Sequence, residues 1–343
     1  MLYKEYLKIQ SLSLHKVGNR LNQDDIIFSK SLLSFSEELK EVLINYFVSP
    51  FKSEEYYNLS HSSDIELNEV YTYVSKIFEN PNVLYKQSVN LAKHLYEQST
   101  HPKIKGGEFY VVYFKDFIVD GKTMDAVGLF KSENKDTFLK VYPSGDGFEI
   151  ESEKGININK LDKGCLIFNT EKENGYLVSI VDNTNKGAEA KYWTEDFLHV
   201  CSRKDSYNQT HNMLSLCKNF VSQLPEDDGK ANKALIINKS IEALKNESVN
   251  VDTFAEQVFE KPEMVEKFKQ YKETYQAERD IQIDDTFETS SQALKRKGMG
   301  SMTTIKLDKN FDVNIHGGEQ FIERGYDKKR GMHYYQLFFK EEK

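Results

Sequence analysis

The sequence has few of the residues and segments that mark secreted or membrane proteins. Its 343 residues include three cysteines, six prolines and one tryptophan. The cysteines, Cys165, Cys201 and Cys217, form no CxxC pair, and their odd number favours a reducing compartment over a disulfide framework. No stretch approaches the roughly 20 apolar residues that a membrane-spanning helix needs, and the N-terminal segment lacks a signal-peptide core. We therefore expect a cytoplasmic protein with no membrane partner.

Recognisable catalytic motifs are also missing. The chain contains no GxSxG, HExxH, zinc-type Cys/His spacing or GxxxxGK[ST] loop. Asp182 follows the apolar run "YLVSIV", at a strand end where catalytic carboxylates are often placed, but "DNTNKG" is also typical of a turn capped by its own Asp and Asn side chains. The prediction is a protein that is not an enzyme, with no catalytic residues, no metal and no cofactor.

What the sequence does have is enough apolar and aromatic mass to fold. Hydrophobic residues make up 39% of the chain, and 20 Tyr and 22 Phe supply bulk for packed cores. This composition argues against general disorder. The length suits two or three modules.

The first module is expected to span residues 1–202. Helical patterns precede the run "EFYVVYF", which is apolar on both faces of a strand and therefore predicts a central strand covered on both sides. Asp120-Gly121 and Asn174-Gly175 are hairpin signals between apolar runs. Together these features predict helices packed on a mostly antiparallel sheet.

Two further modules follow in the prediction. Residues 203–290 read as a helical region that ends in an acidic, exposed linker from Asp280 to Ser291. Residues 291–343 read as a small β-rich tail, an antiparallel meander in which the aromatic residues of "MHYYQLFF" are expected to be mainly core. The predicted fold class is α+β.

Charge is distributed unevenly between these modules. The net charge is −8, yet residues 291–343 carry eight Lys and three Arg against three Asp and four Glu, a balance of +4. The remainder therefore carries −12. Such asymmetry points to an anionic partner for the basic part.

The stretch "ALKRKGMGSMTTIKL" concentrates this positive charge beside glycine. We select as candidate DNA-binding residues Lys295, Arg296, Lys297, Gly298, Gly300 and Lys306. The basic side chains would contact phosphates, and the two glycines would let the backbone approach. A solvated connector between a helix and a strand is the competing interpretation.

The layout of the whole chain resembles the bacterial nucleoid-associated protein family of NdpA and YejK type. The resemblance rests on "GGEFYVVYF", on the region from Leu177 to Val200 and on the tail from Lys306 to Ile315. It implies a cytoplasmic protein found with the chromosome and carries over no catalytic centre and no DNA-contact motif. An acidic chain departs from what an abundant DNA-compacting protein usually shows, because phosphate neutralisation supplies most non-specific affinity.

Three functions remain open from the sequence. The leading hypothesis is a non-enzymatic nucleoid protein that binds duplex DNA non-specifically through local phosphate contacts, alone or as a homo-oligomer. The first alternative is an adaptor that joins a protein partner at the chromosome. The second is a metal-dependent nucleic-acid enzyme with carboxylates brought together from distant strands. Sequence preference, DNA against RNA and oligomeric state do not follow from the sequence.

Overall fold

Two compact units make up the protein, residues 1–203 and 204–343. The structure, a computed structural model, describes residues 2–3, 6–184, 191–225, 229–279, 281–295, 304–314 and 321–341. The three-module division at 202 and 290 stays a prediction. The architecture within the units is α+β with mostly antiparallel sheets, and the predicted fold class is confirmed.

Strands dominate the first unit. They are β1 (Leu2–Tyr3), β2 (Lys8–Val17), β3 (Ile26–Phe28), β4 (Tyr57–Leu59), β5 (Gly107–Val119), β6 (Lys122–Ser132), β7 (Asp136–Ser144), β8 (Gly147–Gly155), β9 (Lys163–Phe168), β10 (Leu177–Asp182) and β11 (Val200–Ser202). The main sheet has the order β11–β4–β10–β9–β6–β5–β2–β3, with β1 beside β5. Its pairs are antiparallel. β7 and β8 form a hairpin of their own.

Among the described residues, three α-helices cover the two faces of this sheet. They are α1 (Glu37–Val48), α2 (Glu69–Glu79) and α3 (Leu84–Gln98), and shorter turns lie at Ile65–Leu67, Pro81–Val83, Lys172–Asn174 and Tyr192–Phe197. α2 and α3 bury their apolar faces in one core, and the end of α1 packs in the other. Phe47 of α1, for example, stacks on Phe130 of β6 with ring centroids 4.3 Å apart. Covering both faces removes the sheet's apolar side chains from water.

The central position of β5 follows from its alternating side chains. Val111 and Tyr113 belong to the core under α2 and α3, whereas Val112 and Phe114 belong to the core under α1. β5 then turns into β6 at Asp120-Gly121, where both residues have positive φ. The doubly covered strand and this hairpin, both predicted from the sequence, are confirmed.

Helices form the core of the second unit. They are α4 (Ser206–Gln223), α5 (Gly229–Ala243), α6 (Val251–Phe259), α7 (Pro262–Arg279) and the short α8 (Ser291–Leu294). Aromatic rings from three of them meet in this core, where Phe268 lies 4.6 Å from Phe259 and 5.4 Å from Phe220 between centroids. No helix among the residues that the structure describes is long and apolar enough to cross a membrane.

The stretch from Asp280 to Ser291, expected to be an exposed linker, is largely exposed in the described residues 281–291 but is anchored at two positions. β12 (Ser248–Asn250) pairs with β13 (Thr286–Glu288) inside this stretch. Ile283 and Phe287 are buried in the helical core. Two isolated apolar anchors are enough to bind a polar segment to the core, although they leave no periodic pattern in the sequence.

Four strands follow in the described residues near the C-terminus, as predicted, but within those residues they do not form one meander. β14 (Thr304–Leu307) pairs with β15 (Phe311–Asn314), and β16 (Ile322–Asp327) pairs with β17 (Met332–Leu337), as two separate hairpins. Their inward side chains pack against Ala234 and Leu235 of α5; these are Leu307, Val313, Ile322 and Tyr335. The sheet is thus broken into two hairpins that share one small apolar cluster.

Candidate nucleic-acid interface

The basic stretch selected from the sequence begins at the end of α8. Lys295 is exposed, and its backbone N–H donates to the carbonyl oxygen of Gln292 at 3.0 Å, which closes the helix. Arg296, Lys297, Gly298 and Gly300 lie outside the described residues. For Lys306 the backbone is described, opposite Asp312 in the β14–β15 ladder, while its side chain is not. The role given to these six residues stays a prediction.

A second basic group lies at the turn between β16 and β17. The turn reads Asp327-Lys328-Lys329-Arg330-Gly331. One carboxylate oxygen of Asp327 accepts from the N–H groups of Lys329 at 2.8 Å and Arg330 at 3.2 Å. Gly331 has φ +65°, a conformation that glycine adopts without steric cost. The turn therefore fixes its backbone locally and leaves three successive basic side chains exposed.

Positive charge at this turn is only partly compensated. Arg330 Nε lies 3.6 Å from Asp327 Oδ2, and the Arg330 side chain is 82% exposed, so this ion pair is weak. Within the described parts of the chain, Lys328 and Lys329 make no ion pair. One carboxylate against three cations leaves a local charge of about +2 in a chain whose total is −8.

Exposed aromatic rings flank the basic turn. Tyr326 and His333 face each other across the ladder with ring centroids 4.9 Å apart, and Tyr326 is 54% exposed. On the opposite face the Tyr334 ring lies across Gly325, where any Cβ would overlap it. Flat exposed rings beside cations can stack on bases or pack along a sugar–phosphate backbone.

The expectation that the aromatic residues of "MHYYQLFF" are mainly core is wrong. Tyr335 packs partly inward, but the aromatic residues Tyr334, Phe338 and Phe339 are exposed, and so are the aliphatic Met332 and Leu337. A two-stranded ribbon has no second layer to cover its outer face. Lys328, Lys329 and Arg330 were not selected from the sequence, although three consecutive cations followed by glycine between two strand patterns are a visible signal.

A different group of charged residues is buried in the first unit. Lys131 of β6 and Lys163 of β9 lie directly opposite each other in the sheet, and both side chains are fully buried. Two like charges in this position repel each other. Carboxylates compensate both: Lys131 Nζ lies 3.0 Å from Glu133 Oε1, and Lys163 Nζ lies 2.8 Å from Asp182 Oδ2.

Every ammonium hydrogen in this cluster has an acceptor. Lys131 also donates to the carbonyl oxygen of Lys105 at 2.7 Å and to the Tyr192 hydroxyl at 3.1 Å. Tyr192 in turn donates to Glu133 at 2.8 Å. Burial lowers the pKa of Lys131, although Glu133 opposes that shift. Lys131 is therefore enclosed and donates all three of its ammonium hydrogens within the protein, as a buried charge requires.

Asp182 is part of the same cluster. Its Oδ1 accepts from the backbone N–H and the hydroxyl of Thr184, each at 3.0 Å, as a cap of the predicted turn would; residues 185–187 of that turn lie outside the described residues. Both of its oxygens also accept from Lys163. Among the described residues, no group of three or more His, Cys, Asp or Glu side chains is arranged to hold a metal ion.

A buried histidine beside two serines resembles a nucleophile with its base, but its tautomer does not fit that role. His15 Nε2 lies 2.8 Å from the Ser88 hydroxyl and 3.2 Å from the Ser13 hydroxyl. The N–H of Ser29 donates to His15 Nδ1, so Nδ1 is the acceptor and Nε2 carries the proton. In this tautomer the imidazole donates to the serines and has no lone pair to activate them.

Residues 13–330 match a family model described as "Nucleoid-associated protein YejK". This span covers most of both units and ends at the last cation of the β16–β17 turn. No curated protein matches the chain significantly.

Proposed function

Because the chain belongs to the nucleoid-associated protein YejK family, we propose that this nucleoid-associated protein binds duplex DNA directly, through a few local phosphate contacts and without catalysing a reaction. Association with the nucleoid follows from the family. The contacts, their non-specific character and a location on chromosomal DNA in the cytoplasm are the proposal.

The observation that carries the proposal is the basic turn Asp327–Gly331. DNA presents a dense row of phosphates, and each one neutralised by Lys or Arg releases counterions. The turn offers three exposed cations within three residues, held by an Asp side chain that fixes the backbone. A protein of net charge −8 is repelled by DNA at long range, so its affinity must come from close contacts of this kind.

Non-specific binding is the expected mode for such a turn. Lysine and arginine at the tip of a ribbon reach phosphates readily, and phosphate contacts position a protein without reading bases. The rings of Tyr326 and Tyr334 add stacking or packing surface on the two faces of the ribbon. The stretch from Lys295 to Lys297 would add a second set of cations in the same unit.

The test is a titration with duplex DNA over a range of salt concentrations. Replacing Lys328, Lys329 and Arg330 by alanine should flatten the slope of log K against log salt by roughly 2.7, at about 0.9 per phosphate contact. Affinity should fall by a similar factor for unrelated sequences. These side chains are exposed, so the variant should keep the fold of the parent.

A control variant with the same change in net charge distinguishes binding at this turn from an effect of the protein's total charge. Replacing Lys52, Lys86 and Lys160 by alanine changes the net charge by the same amount, but these exposed residues are scattered over the first unit. This variant should keep the salt slope of the parent. An equal slope change in both variants would mean that only total charge matters.

The same assay tests the stretch chosen from sequence. The triple variant Lys295→Ala, Arg296→Ala and Lys297→Ala should also flatten the slope if that stretch contacts phosphate. If both triple variants fold and keep the parent's affinity and slope, direct DNA binding is refuted and a protein adaptor becomes the better explanation. Mg²⁺- or Mn²⁺-dependent cleavage, abolished by one carboxylate substitution, would instead show an enzyme.

A further inference from the structure

The β7–β8 hairpin has two chemically different faces. On one face the Tyr142 hydroxyl donates to Glu151 at 2.6 Å, and Lys140 donates to Glu153 at 2.7 Å. These residues alternate along the strands with those of the other face, because side chains in a β-strand point to opposite sides in turn. We call the face that carries Lys140, Tyr142, Glu151 and Glu153 the glutamate face. The opposite face, which carries Leu139, Val141, Phe148 and Ile150, is the apolar face.

The apolar face is exposed along its length. Val141 and Ile150 lie directly opposite each other at its centre, with 57% and 67% of their surface exposed. Leu139 and Phe148 flank them at 69% and 76%. The remaining positions on this face are Thr137, Pro143, Ser152 and Lys154.

A ribbon of this kind is incomplete by itself. Two strands without a covering layer are marginally stable in water. The four apolar side chains expose on the order of 400–500 Å², which equals the largest patch on a typical monomer and commonly marks an interaction site. Within the described residues, β7 and β8 pair with no other strand.

The distribution of charge on the hairpin indicates which kind of surface covers the apolar face. Residues 136–155 contain five carboxylates and two lysines, so the hairpin is acidic and is repelled by nucleic acid. Glu149, Glu151 and Glu153 all lie on the glutamate face, where a basic protein would dock. The apolar face carries no carboxylate and, apart from Lys154 at its base, no charge. It is therefore complementary to a second uncharged, apolar ribbon.

We propose that the β7–β8 hairpin is a dimerisation arm whose apolar face packs against the same face of a second copy of this chain. Identical patches meet in a two-fold interface, so each arm supplies the cover that the other lacks. The carboxylates of both copies stay in water on the outside. Two faces of this size bury roughly 1,000 Å² in total, which reaches the lower limit for a specific interface.

Sedimentation equilibrium of the full chain without DNA tests the proposal. The parent should be a dimer with a micromolar or lower dissociation constant. Replacing Phe148 and Ile150 by serine should raise that constant by about 100-fold or more, because each substitution removes buried apolar surface from both copies. Replacing Lys140 and Tyr142 by serine changes the glutamate face of the same hairpin and should leave the constant within about threefold of the parent.

Two results would overturn the dimerisation arm. The first is a parent that stays monomeric up to about 100 μM. The second is a Phe148→Ser/Ile150→Ser variant that dimerises like the parent, since the interface would then lie elsewhere. If that variant fails to fold, the single substitution Leu139→Ser applies the same test. No DNA is present, so the result is independent of the proposed DNA contacts.

Discussion

Asp182→Asn is expected to destabilise the first unit by removing the charge that compensates a buried lysine. Asp182 accepts two hydrogen bonds from Lys163, at 2.9 and 2.8 Å. Asparagine keeps one oxygen for these contacts and for the cap of Thr184, so the turn is preserved. What changes is that the Lys163 ammonium loses its counter-charge while it still faces Lys131 across the sheet.

The size of the effect follows from burial. The Lys163 side chain is fully buried and that of Asp182 is 14% exposed. Breaking a buried ion pair by removing one partner typically destabilises a protein by about 3–5 kcal/mol. Because asparagine still accepts a hydrogen bond, we expect a loss of about 2–3 kcal/mol in the free energy of unfolding. The double variant Asp182→Asn/Lys163→Met should recover part of that loss, because it no longer buries an unpaired charge.

The assay is urea unfolding, monitored through the fluorescence of Trp193. This is the single tryptophan of the chain and it is fully buried in the first unit, so its signal reports that unit. Glu79→Gln serves as the control, because its pair with Lys172 at 3.2 Å is largely exposed and should contribute less than about 1 kcal/mol.

Two outcomes would refute this reasoning. One is an Asp182→Asn variant as stable as Glu79→Gln, which would show that the buried ammonium does not depend on its carboxylate. The other is a double variant whose loss equals the sum of the losses of Asp182→Asn alone and Lys163→Met alone, because independent sites add whereas a coupled pair does not.

Two further predictions concern the stability of the same unit. Burial lowers the pKa of His15 from 6.5 to about 4, so as the pH falls the unfolded chain is protonated at His15 before the folded chain is. The free energy of unfolding should therefore fall by about 2 kcal/mol from pH 7 to pH 5. In His15→Gln, the urea midpoint should depend less on pH over this range. Gly175→Ala should destabilise by more than Gly121→Ala, since both glycines have positive φ but a Cβ at Gly175 also overlaps the carbonyl oxygen of Leu59, whereas nothing lies within 4 Å at Gly121. Equal losses from the two alanine variants would contradict the steric argument.

Much of the first unit was predictable from local sequence. The central strand β5 has large apolar residues on both faces, and a strand with no polar face has to be covered on both sides. Asp120-Gly121 supplies the positive φ values that a two-residue hairpin needs. Local pattern and global fold agree here, so the sequence is sufficient to infer the arrangement.

The features that were missed depend on contacts between distant residues. Ile283 and Phe287 anchor a polar segment to a core made by other helices, and no local pattern signals that burial. Lys131 and Lys163 are 32 positions apart and meet only through the β6–β9 register. The cations at 328–330 were visible in the sequence, but their exposure follows from the β16–β17 register, which ends at Asp327 and Met332 and so places them in the turn.

Because β5 contributes side chains to both cores of the first unit, it determines how that unit unfolds. Neighbouring residues of this strand, such as Val111 and Val112, belong to different cores, and the strand is hydrogen-bonded to both β2 and β6. Neither core can therefore come apart while the other remains whole. Amide protons of β5 should exchange with solvent only through global unfolding, and residues whose side chains enter different cores should exchange at the same limiting rate. The unit would then behave as one cooperative block rather than as two layers that loosen in turn.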